Sequence, residues 1–166
     1  MSDCVFCDIV AGNVPASVVY EDESTIAFMD LRQPTEGHVL VVPKQHVETL
    51  DALPLDLAAR LMQVAVLVAR AMRQSLQPAG LSLWQSNGAV AGQEVPHVHL
   101  HLLARQPHDG LLRVYPAKPP YPDRETLDRL AATVRAGFGA FDEGGEPARQ
   151  GSVSPHVGSS GRRPQR

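Results

Sequence analysis

A chain of 166 residues, 43% hydrophobic and 20% charged, has the composition of a soluble globular protein with room for one core. Its net charge of −3, with clustered basic residues only at Arg162, Arg163 and Arg166, excludes the basic face that nucleic-acid binding requires. No apolar run approaches the roughly 18 residues of a membrane span, and no basic segment followed by an apolar one opens the chain, so the expected compartment is the cytoplasm.

Residues 4–11 suit a short turn of helix stopped by Gly12, and they carry both cysteines, Cys4 and Cys7. That spacing fits a metal half-site or a redox pair better than a structural disulfide, and a zinc site would need two further ligands from elsewhere. Short strands are expected at 18–20 and at 25–29, the second ending at Asp30. A loop over 32–37, marked by Pro34 and Gly37, leads into a largely buried strand at 38–43. From Pro54 to about Ser75 the residues Leu57, Leu61, Val64, Val68 and Met72 recur at helical steps. Pro54 suits the first turn of that helix, and Pro78 and Gly80 stop it. Strands at 81–85 and 95–104 follow, then a Pro-rich loop over 107–122. A second main helix starts after Asp123, an acceptable N-cap, and runs through Leu127, Leu130 and Val134 to about Phe138. Residues 142–166 have no aromatic side chain and only Val153 and Val157 as large aliphatics. Such a segment cannot bury enough apolar surface to offset its ordering entropy, so a domain over 1–141 and a disordered tail over 142–166 are expected.

The most informative stretch is His97-Val98-His99-Leu100-His101-Leu102. In a strand its three imidazoles line one face and its apolar residues the other. Such a row can ligate a metal, attack a phosphorus or carbonyl centre, or relay protons. The small-residue loop from Asn87 to Gln93 feeds it directly, and its glycines allow backbone N–H groups to cradle an anion.

The run His97 to Leu103 resembles the histidine-triad signature. The likeness extends to Phe28-Met29-Asp30, to the block Gly37-His38-Val39-Leu40-Val41-Val42-Pro43-Lys44-Gln45-His46, and to Gly92-Gln93. It implies an α+β domain with a five-stranded antiparallel sheet and two main helices, the sheet extended across a homodimer. It also implies cleavage at the α-phosphate of a purine nucleotide (a phosphoramidate, a dinucleoside polyphosphate or an adenylylated metabolite) through a covalent nucleotidyl-histidine. By position His99 would be the nucleophile, His101 would hydrogen-bond the phosphate or leaving group, and His38 would complete the cluster. Backbone N–H groups from Gln93 through Glu94 to Val95, beside Gly92, would stabilise phosphate charge. Asp30 would accept the ribose hydroxyls, Ile26 and Phe28 would wall the base pocket, and Asn87 would position the phosphate or its leaving group. Glu94 departs from the hydroxyl residue usual in the phosphoramidase branch, so a preference for phosphoramidates is not implied. The more distant galactose-1-phosphate uridylyltransferases imply a structural zinc held by Cys4, Cys7, His46 and His97. Two readings compete: a hydrolase whose triad histidines themselves hold a catalytic metal, and a nucleotide-binding interaction module without turnover.

Overall fold

The structure is a computed structural model, and it describes residues 4–111, 119 and 121–138. The expected tail over 142–166 and half of the Pro-rich loop, residues 112–118 and 120, lie outside the described residues. The chain divides into two compact units, with the boundary between residues 112 and 113.

The first unit contains helix α1 (Val5–Val10), strands β1 (Val18–Glu21), β2 (Thr25–Met29) and β3 (His38–Pro43), helix α2 (Leu55–Leu76), and strands β4 (Gly80–Trp84) and β5 (Leu100–Arg105). The five strands form one antiparallel sheet in the order β1-β2-β3-β5-β4. The α+β class with a five-stranded sheet is therefore as expected. β3 is buried along its whole length, and its alternation divides the interior in two. Val39 and Val41 pack with Leu100, Leu102 and the buried stripe of α2, namely Leu57, Leu61, Val64, Val68 and Met72. Leu40 and Val42 face the other way, against Ile26, Phe28 and Phe6 of α1. Each large aliphatic so enclosed stabilises the fold by roughly 1.5–3 kcal/mol.

Pro54 stands just outside α2 as its N-cap, and Gln77 ends the helix in the left-handed region at φ 48°. β1 carries an irregularity between Val18 and Tyr20. The larger departure concerns β5, which begins at Leu100 rather than at residue 95. Pro96 has no N–H to donate. The His97 N–H closes a tight turn onto the Val95 carbonyl at 2.8 Å, and the Val98 N–H bonds Val47 at 2.7 Å instead of a strand partner. The segment bends at residues 95–97 and stays outside the sheet, yet the division of faces holds: Val98 joins the α2 core.

Gly37, immediately before β3, has φ 104°. A Cβ there would lie 2.5 Å from Leu76 Cδ1 and 3.1 Å from Ala104 Cβ, so only glycine lets the chain turn this close to α2 and β5.

The second unit contributes α3 (Arg124–Gly137), whose N-cap Asp123 accepts from the Thr126 N–H at 2.8 Å. The expected cap and boundaries are those observed.

Candidate active site and metal centre

On the sheet face opposite α2, a cavity of about 600 Å³ opens between α1, the end of β2 and the segment before β5. Phe6, Phe28, Leu40 and Val95 give it apolar walls, and Asp30 and His99 supply polar groups. Ile26 is instead enclosed in the core behind Phe28.

His99 is buried, with Nδ1 2.7 Å from the carbonyl oxygen of His97. A carbonyl only accepts, so Nδ1 carries the hydrogen and Nε2 keeps its lone pair. Burial pushes the His99 pKa below the usual 6.5, opposed by that backbone bond. The ring is thus a neutral base or nucleophile with its reactive nitrogen fixed by geometry.

A second chain of hydrogen bonds runs beside it. His38 Nδ1 donates to the Arg32 carbonyl at 2.9 Å, so its Nε2 accepts from His101 Nδ1 at 3.0 Å. Asp30 lies 3.5 Å from His38 Nδ1 and is itself steadied by the Arg32 N–H at 2.8 Å. Trp84, opposite His101 in the β4–β5 register, stacks flat on its ring with centroids 4.4 Å apart. Burial first, then the neighbouring His99 and His38, lowers the His101 pKa to about 4.

The loop before the triad is tied down from within. Gly88 and Gly92 adopt φ values of 76° and 88°. Gln93 acts as a clamp: its Oε1 accepts from the Gly88 N–H at 2.6 Å and its Nε2 donates to the Glu48 carbonyl at 2.7 Å. Its backbone N–H is also used within the loop, bonded to the Gly88 carbonyl at 3.1 Å. Of the three expected donors, Gln93 is thereby engaged, and among the described residues the N–H groups of Glu94 and Val95 meet no acceptor. Asn87 holds a neighbouring loop, its Oδ1 accepting from the Leu50 N–H at 3.0 Å, and it does not line the cavity. Glu94 turns its carboxylate onto Arg32 at 2.7 Å.

Adjacent to this cavity Cys4, Cys7, His46 and His97 bring four ligand atoms within 4.8 Å of one another. Cys4 Sγ and Cys7 Sγ lie 3.4 and 3.7 Å from His97 Nδ1, and Cys7 Sγ lies 3.3 Å from His46 Nδ1. Tetrahedral zinc bonds to sulfur and nitrogen imply ligand separations of about 3.6 Å, so the set fits the ion. His97 Nε2 donates to the Pro43 carbonyl at 2.8 Å, which turns the Nδ1 lone pair toward the thiols. Burial, with Cys4 and Asp8 adding to it, pushes the Cys7 thiol up, and zinc would reverse this by binding the thiolate. His97, His99 and His101 do not converge as a metal-holding group among the described residues; the second such group is Asp30, His38 and His101.

The chain matches the HIT domain family over residues 11–108. It belongs to the HIT family. Protein hit of Bacillus subtilis is 43% identical over 103 residues, covering 62% of this chain and 71% of that protein. A Zn-bound histidine triad family protein from Mycobacterium smegmatis superposes with a TM-score of 0.62 at 37% identity, over 83% of this chain and 96% of the other. Adenylylsulfatase HINT3 of Arabidopsis thaliana is 34% identical over 110 residues, which span 66% of this chain and 56% of that larger protein. The fold described above is that of the HIT family.

Arg32 and Trp84 are the site residues that sequence reading passed over. Trp84 carried a signal, being the single tryptophan of the chain and next to the loop that feeds the triad. Arg32 carried none, because its partner lies 62 positions away.

Proposed function

We propose that this HIT protein cleaves at the α-phosphate of a purine nucleotide through a covalent nucleotidyl-histidine on His99. The observation that carries the reading is the Nδ1–H bond from His99 to the His97 carbonyl, which presents Nε2 as the free nucleophile at the cavity wall. Apolar walls suit the base, and Asp30 lines the same cavity, which supports its accepting the ribose hydroxyls. As Nε2 bonds phosphorus and the leaving group departs, charge grows on the phosphate oxygens, and the N–H groups of Glu94 and Val95 are the donors left to meet it. His101, backed by His38, can take a proton at Nε2 once an anion occupies the cavity. Water then attacks the nucleotidyl-histidine in a second displacement.

Cys4, Cys7, His46 and His97 would hold a structural zinc, which supplies a four-ligand cross-link between α1, the loop after β3 and the triad segment. A homodimer is part of the same reading. β4 is an edge of the sheet, and Leu83 on it and Met62 and Val66 on α2 are exposed, which supports pairing with a second copy.

The test is His99→Ala against a panel of adenosine phosphoramidate, diadenosine tetraphosphate and adenylyl sulfate, with intact-mass detection. Turnover should fall by roughly three or more decades, and a nucleotide adduct seen on the unaltered chain after acid quenching should vanish. Near-unaltered turnover would overturn the mechanism.

A further inference from the structure

The ion pair between Arg32 and Glu94 crosses the same cavity that holds His99. Arg32 reaches in from the loop after β2 and Glu94 from the loop before the triad, and both line the cavity. Their contact is 2.7 Å, with side chains 76% and 67% exposed. An exposed pair contributes little to stability, so its opening is cheap and an incoming anion can compete for the guanidinium. Arg32 is also wired to the rest of the site: its N–H steadies Asp30 and its carbonyl accepts from His38.

We infer that Arg32 is an anion subsite, filled in the resting protein by the Glu94 carboxylate, that takes the negatively charged leaving group of the nucleotide. This rests on the nucleotidyl-transfer reading above and gives it a preferred substrate class, nucleotides whose α-phosphorus bears an oxyacid anion, phosphate or sulfate, over those bearing an amine. In that step the His99 Nε2–P bond forms while the P–O bond breaks, and the electron pair leaves on the oxyacid oxygen. Such a group departs without an added proton but leaves charge that Arg32 can meet bidentately. An amine would need a proton delivered as it leaves. Glu94, the residue after Gly92-Gln93, cannot give one, being a carboxylate already bonded to Arg32, so an amine would depend on His101 alone.

The experiment uses the full chain carrying His99→Ala, so that ligands survive the titration. Calorimetry with AMP, ADP and adenosine 5′-phosphosulfate yields the preference for each doubly substituted ligand over AMP, the last two separating phosphate from sulfate. Adding Arg32→Ala should reduce that preference by about tenfold, the loss of a charge-assisted contact. Adding Glu94→Gln should increase it, since nothing then competes for the guanidinium. Both positions are exposed, so neither change threatens folding. Preferences within about twofold of the starting chain in Arg32→Ala, with AMP still bound, would overturn the subsite. Failure of AMP to bind the starting chain would instead overturn the nucleotide reading of the cavity, and the subsite with it.

Discussion

His101 shows how one half-buried ring contributes to the acid sensitivity of the molecule. Its folded pKa of about 4 lies below the usual 6.5 because burial, then His99 and His38, disfavour the cation. Between those values the unfolded chain binds a proton that the folded chain refuses, so stability is lost as pH falls through this window and rises as pH climbs back. Replacing His101 by Asn should remove up to one proton from the slope, roughly 1.4 kcal/mol per pH unit at most. Urea unfolding at several values across the window measures it, and an unaltered slope would mean that the folded ring is already charged there.

At the scale of elements, the approach of β3 to α2 decides where His38 stands. The φ of 104° at Gly37 disfavours any other residue, and a Cβ there would also displace the Leu76 side chain and press on Ala104. Gly37→Ala should therefore destabilise the fold by about 1–3 kcal/mol or more and lower turnover by displacing His38 from His101. Thermal melts and kinetics on the same preparation test both parts. The helices and strands themselves were largely legible, since α2 shows its period in Leu57, Leu61, Val64, Val68 and Met72, and β3 is a plain apolar run after His38. The start of β5 was not, because alternation reports which face a residue takes and says nothing of whether its N–H finds a strand partner. Pro96 and the bond from Val98 to Val47 decided that, and the second is a contact across 51 positions. Motif residues were readable for the same local reason, whereas Arg32, the clamp of Gln93 and the loop-holding role of Asn87 depend on partners brought near only by folding.

For the whole molecule, two proposals concern what each end of the sequence adds. A zinc ion on Cys4, Cys7, His46 and His97 would join three segments remote in sequence, so its contribution should appear mainly in stability. Cys4→Ser should lower the melting temperature by more than it lowers turnover at 25 °C, while His99→Ala should do the reverse. Elemental analysis of protein purified without chelator should give one zinc per chain, and less than about a tenth of an equivalent, unrestored by added metal, would remove the site. At the other end, the composition of residues 142–166 predicts that a chain stopped near Gly144 keeps its melting temperature and its activity. A fall of several degrees on truncation would show that the tail packs.

The stacking of Trp84 on His101 makes the protein its own optical probe. No other indole exists in the chain, and this one lies flat against the His101 imidazole at 4.4 Å. Every photon of tryptophan emission therefore originates one ring away from His99, the proposed nucleophile. If the proposed mechanism holds, ligand arrival, proton uptake by His101 and the lifetime of the nucleotidyl adduct should each change the emission in a stopped-flow trace of the unlabelled chain.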